Sequence, residues 1–346
     1  MRLFDSVAGA RNAIVEVGLE RRSDQLLSLL RPTVRYVADA APQVQMATGA
    51  SRIGGTPDLP RTWSWPKRPA YADADVRNIE IRDPPAVALR GNDYQERNRR
   101  QSQLINRDAF LPFLAQIDLA DAWREQNFDI DLPRAGRLLF FYDARECPPG
   151  FDPADLAGFR VIWDDTPVSD LVHTIGPEEL AIDYLVVPAK VLRAAAGYIL
   201  PELEAFACRA LSLPCPDRER YDRLLHPYDE QIGTDGWYDR LPDIEKQPHH
   251  FLNGCDDSET GRMELECELV TRGIPTGGPN AFTGEEADFA RLRQADWCLI
   301  AKFDCSEFTT IHMEHEWFTD HKLYFWIRRD DLSARRFERA WVLART

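Results

Sequence analysis

The residue types best suited to chemistry gather at two glycine turns. The first, Ser51-Arg52-Ile53-Gly54-Gly55-Thr56-Pro57-Asp58, sets a guanidinium and a carboxylate on either side of a glycine pair. The second, His249-His250-Phe251-Leu252-Asn253-Gly254-Cys255-Asp256-Asp257, sets two imidazoles and two carboxylates around Gly254. Histidine beside carboxylate is the usual acid–base pairing near neutral pH. A cleft gathering Arg52, Asp58, His249, His250 and Asp256 would therefore bind a small ligand or hydrolyse one. His249 and His250 are adjacent and point to opposite sides of an extended chain, so at most one of them lines a given cleft.

Other patterns carry less chemistry. Asp118 and Asp304 end matching apolar segments and could act as an acid–base pair, but aspartate at a strand end more often caps a turn through nearby backbone N–H groups. Ser51, Thr56 and Ser64 lie near the first turn without the Gly-x-Ser-x-Gly elbow of a nucleophile, and no cysteine has a nucleophile's context. Neither Gly54-Gly55 nor Gly277-Gly278-Pro279 leads into the lysine and helix of a phosphate loop. His312 and His315, with Glu314, Glu316 and His321, have ligand chemistry, yet Trp317, Phe318 and the apolar run that follows indicate loop or strand rather than the helix such spacing needs. No metal, no cofactor and no catalytic set is expected.

Charge points to binding instead. The chain of 346 residues has 42 Lys and Arg against 57 Asp and Glu, a net charge of −15, which repels phosphate backbones and anionic lipid surfaces. No nucleic-acid or membrane partner is expected. Residues 215–269 alone hold fifteen acidic and six basic side chains. Asp256, Asp257, Glu259, Glu264, Glu266 and Glu268 in this stretch form a candidate face for steering a basic protein partner. An apolar content of 44% is that of a globular protein, and no run approaches the ~20 apolar residues of a membrane span. With no signal-peptide pattern after Met1, a cytoplasmic location is expected. The seven cysteines are odd in number and form no Cys-x-x-Cys, so they are expected to be reduced.

Positioning these groups falls to elements that the apolar pattern outlines. Residues 1–32 read as helices, with Ser23 as an N-cap and Pro32 as a stop. Thr33 to Ala38 and Gln43 to Ala47 alternate like strands. Residues 67–109 are poor in apolar side chains and slightly basic, and read as a surface insertion. Pro188 to Ala196 and Pro201 to Leu211 read as helices of a connection over 166–246, and Thr283-Gly284-Glu285-Glu286 reads as a capping box.

The chain also repeats itself. Leu114 to Leu119 matches Ile300 to Cys305, Arg137 to Phe141 matches Lys322 to Trp326, and Phe159 to Trp163 matches Phe337 to Trp341, in the same order and with nearly constant offsets. The Gly55 turn pairs more weakly with Phe251 to Gly254. The expectation is one compact α+β unit of mainly antiparallel sheets, built from two internally duplicated halves, 33–165 and 247–346, with covering helices. Runs such as Leu138 to Tyr142 are apolar on both faces and must be covered on both.

The first glycine turn, Leu114 to Asp118, Gly136 to Phe141, His249 to Gly254 and Trp297 to Trp341 together resemble the YwqG-like family of bacterial domains of unknown function. The resemblance spans about 33–346 with interruptions and is most specific from Trp297 to Leu332. It differs at Cys255-Asp256-Asp257, where the family usually has an aromatic residue and a proline, and in the length of 67–109. The family carries no established catalytic set. Its association with toxin–immunity gene neighbourhoods implies a non-enzymatic protein that neutralises a basic protein toxin.

Overall fold

A computed structural model describes residues 2–39, 46–82, 92–124, 132–183, 185–209, 211–228, 241–258, 260–308 and 321–345. Fourteen strands occur among them. In chain order they are β1 (Arg31–Ala38), β2 (Arg52–Ile53), β3 (Asp58–Pro60), β4 (Lys67–Arg68), β5 (Ala109–Phe110), β6 (Phe113–Asp118) and β7 (Arg137–Tyr142), then β8 (Phe159–Asp164), β9 (Leu171–His173), β10 (Lys190–Ile199), β11 (His250–Leu252), β12 (Trp297–Asp304), β13 (Lys322–Arg328) and β14 (Trp341–Arg345). Ten form one antiparallel sheet in the order β14-β13-β12-β11-β1-β10-β2-β6-β7-β8. The fold is α+β. β3 pairs with β9 and β4 with β5 as separate two-stranded ladders.

The strand order is the same read outward from either side of the central β1–β10 pair. On one side β2 leads to the meander β6-β7-β8, and on the other β11 leads to β12-β13-β14. Details match as well. The pairing register shifts between Phe113 and Ala115 in β6 and between Leu299 and Ala301 in β12. Ala115 then faces Phe140, and Ala301 faces Phe325. Gly54 N–H donates to Leu114 O at 2.7 Å, and Asn253 N–H donates to Ile300 O at 2.7 Å. Both donors have positive φ, 69° at Gly54 and 59° at Asn253. The third expected match is out of register. Val161 faces Phe140 while Val342 faces Phe325, so Trp163 corresponds to Ala344 and not to Trp341.

The sheet curls until its end meanders lie face to face. The Phe140 ring meets Phe303 at 4.9 Å and Phe325 at 5.0 Å, and Phe159 meets Trp341 at 5.3 Å, all edge-on. Trp341 Nε1 donates to Gly150 O at 2.9 Å and Ala344 N–H to Pro149 O at 3.0 Å, tying the two ends together. The outer face of β7 buries Leu139 and Phe141 against Leu59, Leu111 and Phe113. Helix Met263–Val270 supplies Met263, Cys267 and Val270 to the main core, and Leu265 and Leu269 pack on Ala287 and Ala290 of Glu285–Arg293. Near the N-terminus, Val7–Glu16 packs with Leu26 and with Tyr221, Leu224 and Leu225 of helix Cys215–Leu225.

Several expected elements differ. Pro188 to Ala196 is mostly the strand β10, since pairing with β1 over eight residues overrides the helix propensity of its alanines. Among its described residues, Pro201 to Leu211 holds the single helical turn Phe206–Cys208. Ser23 begins its helix inside the first turn instead of capping it, and Pro32 lies in β1. The Thr283 hydroxyl donates to Asn280 O at 2.9 Å instead of capping Glu285–Arg293, while a capping box forms at Asp152 and Asp155. The strand expected over Gln43 to Ala47 falls largely outside the described residues, as do His312, Glu314, His315 and Glu316.

Residues 67–109 are more than a surface excursion. Arg68 is buried, its Nε 2.5 Å from Asp143 Oδ2, and its Nη1 reaches the carbonyls of Leu104 and Arg107 at 3.3 Å. Tyr71, Leu104 and Ile105 are buried with it, and Arg77 pairs with Asp155 at 2.5 Å. Few apolar residues are needed where buried arginines do the anchoring. All seven cysteines are free thiols.

Candidate functional site

At the first turn, β2 and β6 bring Arg52 opposite Gln116 on one face of the sheet. The double-glycine turn, with φ of 69° and 71°, reverses the chain so that Asp58 returns over that face. Arg52 and Asp58 form a buried ion pair. Gly49 N–H donates to Asp58 Oδ2 at 2.6 Å, Gln116 Nε2 donates to the same oxygen at 3.3 Å, and Asp58 N–H donates to Gln116 Oε1 at 3.0 Å. Burial alone would raise the Asp58 pKa. The Gly49 N–H, the Arg52 guanidinium, the Gln116 amide and a histidine outweigh it and hold the carboxyl below its ordinary value.

That histidine is His173, which the sequence did not single out. The β3–β9 ladder sets it opposite Asp58, and its Nδ1 lies 3.2 Å from Asp58 Oδ1. Its Nε2 lies 3.2 Å from Thr56 Oγ1, whose hydroxyl donates to Thr174 O at 2.7 Å. The imidazole is 61% exposed although both of its neighbours are buried. Only the strand pairing links residues so far apart in the chain, so no local spacing could have found it.

The second turn repeats the arrangement with other side chains. Asp257 follows Gly254 by the interval that separates Asp58 from Gly55. It meets Lys302, which holds the place of Gln116, with Nζ 2.6 Å from Asp257 Oδ2. Lys302 is buried and also lies over the Phe251 ring at 4.5 Å. Burial would raise the Asp257 pKa, but Lys302 and the Tyr324 hydroxyl hold it low. The strand-end acids match too. Asp118 Oδ1 accepts from Ala120 N–H, and Asp304 Oδ1 from Ser306 N–H, each at 3.0 Å.

The remaining predicted residues are dispersed. His250 is fully buried, its Nδ1 accepts from Asp304 N–H at 3.1 Å, and its Nε2 lies 3.7 Å from Glu307, which pairs with Lys190. His249 is half-buried and meets the Phe251 ring edge-on. Asp256 accepts from Ser258 and from Met263 N–H and anchors the start of helix Met263–Val270; burial raises its pKa. Glu266 pairs with Arg345. Glu264 is half-buried with its Oε2 enclosed and unpartnered, and burial, with Asp256 nearby, pushes its pKa up to about 8.

The structure therefore joins Arg52 to Asp58, while His250 and Asp256 belong to other hydrogen-bond sets and His249 packs on Phe251. His250 faces the inner core beside Tyr36, its partner on β1, whereas Arg52 faces outward with Gln116. The expected solvated acidic face also changes character. Asp256, Glu266 and Glu268 are buried, and Asp257, Glu266 and Glu268 neutralise Lys302, Arg345 and Arg328 internally.

Residues 51–344 match a family described as a domain of unknown function, DUF1963. The chain belongs to this family. The matched span opens at Ser51, at the first turn, and closes in β14, so it takes in both turns and both meanders. No curated protein matches the chain. In this DUF1963 member the matched span takes in the curled sheet with its two carboxylate turns, and at the first of these the imidazole of His173 is open to solvent. No helix among the described residues is long and apolar enough to cross a membrane.

Proposed function

We propose that this DUF1963 protein is a YwqG-like, cytoplasmic binding protein that engages a basic protein partner, in the manner of an immunity protein neutralising a toxin. The supporting observation is the surface made by residues 164–183. It holds no Lys or Arg, and of its six Asp and Glu, Asp164 pairs with Arg137 while Glu179 and Asp183 pair with Arg145. Ile175 is 95% exposed, Val168 and Ile182 are each 52% exposed, and Asp165, Asp170 and Glu178 are exposed among them. Exposed aliphatic groups alternating along one segment with exposed carboxylates favour a partner that is both apolar and cationic. This surface takes over the role expected of Asp256, Asp257, Glu266 and Glu268, which are spent on internal hydrogen bonds and ion pairs.

Co-expression with each neighbouring gene product, any protein toxin among them, tests the reading. Growth should be rescued, the two should copurify, and Ile175→Asp should weaken the complex at least tenfold by calorimetry. Failure of every neighbouring gene product to bind would overturn it. We infer as well that the two halves descend from one duplicated unit, on the matching bulges, turns and carboxylates. Relatives in which the halves align better with each other than with unrelated strands are the expected observation.

A further inference from the structure

The geometry points to an acyl-transfer site at Thr56, His173 and Asp58, which would hydrolyse small carboxylic esters with an apolar acyl group. The inference goes beyond the partner reading and does not depend on it. Its basis is the one place among the described residues where a solvent-reachable imidazole is held between a buried carboxylate and a hydroxyl. Asp58 Oδ1 lies 3.2 Å from Nδ1, and Thr56 Oγ1 lies 3.2 Å from Nε2. The carboxylate is fixed by Arg52, Gly49 and Gln116, so it can hold the ring with its proton on Nδ1 and its lone pair at Nε2 toward the hydroxyl. At rest the Thr56 proton points to Thr174 O at 2.7 Å, and a rotation about the C–O bond brings it to Nε2.

Two further observations bear on reactivity. The backbone N–H groups nearest the hydroxyl are those of Thr56 itself and of Gly176, which packs against it, and these are the groups an oxyanion would call on. Gly176 lies close against the hydroxyl residue: a Cβ there would stand 3.3 Å from Thr56 Cγ2 and 3.9 Å from the Trp65 ring. The exposed Ile175 and Val168 flank β9 and its histidine, which suits an apolar acyl chain.

In the reaction, Thr56 Oγ1 bonds to the ester carbonyl carbon as its proton passes to His173 Nε2. The tetrahedral oxyanion then collapses, the carbon–oxygen bond to the alcohol breaks, and the alcohol leaves with the proton from Nε2. Water attacks the acyl-threonine, giving its proton to Nε2, and Thr56 recovers that proton as the carboxylic acid departs.

The test uses the full-length protein with p-nitrophenyl butyrate, followed by p-nitrophenolate release and by intact mass. The expected result is turnover with a transient gain of one butyryl group, mapped to the peptide holding Thr56. His173→Ala and Thr56→Val should each lower the rate roughly a hundredfold or more, while Thr56→Ser, which keeps the hydroxyl and its bond to Thr174, should remain active. Unfolding midpoints of all variants separate lost chemistry from lost folding. A wild-type rate no higher than that of folded His173→Ala, a rate that survives in Thr56→Val, or acylation at another residue overturns the assignment.

Discussion

A carboxylate taken out of water must be met by charge or by donors, and the two turn aspartates meet it differently. Asp58 relies on a guanidinium from its own turn, Asp257 on an ammonium from the facing strand. Removing one partner strands the other, so Arg52→Met should cost about 3–5 kcal/mol in urea unfolding at neutral pH. Both carboxyls are held below their ordinary pKa, so their stabilisation is complete above the unfolded carboxylate range and fades as pH falls through the lower folded values. Glu264 has the opposite sign. With its pKa pushed up to about 8, the folded protein keeps a proton that the unfolded chain has released, and stability falls as pH rises toward that value. Glu264→Gln should therefore match the wild type near pH 4 and exceed it by about 1–3 kcal/mol at pH 9, read from thermal unfolding at each pH. The polar residues around each glycine turn were visible in the sequence as candidates, and Arg52 with Asp58 is a true pair. His173 was not visible, because a lone histidine in an acidic stretch acquires meaning only from the β3–β9 ladder.

Both turns need a left-handed residue at the same place, and each half supplies one that tolerates it: glycine at 54, asparagine at 253. The surroundings differ. A Cβ at Gly54 would sit 2.6 Å from Pro188 O, whereas Asn253 has room for its side chain and donates Nδ2–H to Pro32 O at 2.6 Å. Gly54→Ala should therefore cost about 2 kcal/mol or more, and Asn253→Gly about 1 kcal/mol, by denaturant titration. The apolar strands of both meanders were legible because alternation and two-sided burial leave a plain sequence mark. β10 was not, since Ala194, Ala195 and Ala196 favour helix locally and only the facing β1 draws them into the sheet. The insertion was misleading for a related reason: its contacts run through arginines, which composition counts as surface.

At the scale of the whole molecule, the ring of Phe140 packed on Phe303 and Phe325 joins the two ends of the sheet into one core. Phe140→Ala should cost about 3–5 kcal/mol, and the double variant with Phe325→Ala should cost measurably less than the sum of the singles, because the rings share a contact. One cooperative unfolding transition, coincident by tryptophan fluorescence and far-ultraviolet dichroism, is expected from a core shared in this way. The strand order also sets a timetable. β1 lies in the middle of the sheet, yet its neighbours β10 and β11 are Lys190–Ile199 and His250–Leu252, far downstream. At ordinary rates of translation, β1 leaves the ribosome roughly ten to thirty seconds before either partner exists. For that interval Val34 and Tyr36, both buried in the finished protein, have nothing to cover them. The nascent chain thus carries β1 with both edges unpaired, behind the helix Val7–Glu16 whose partners Tyr221, Leu224 and Leu225 also come late, and this N-terminal stretch is where a holding chaperone would find its grip.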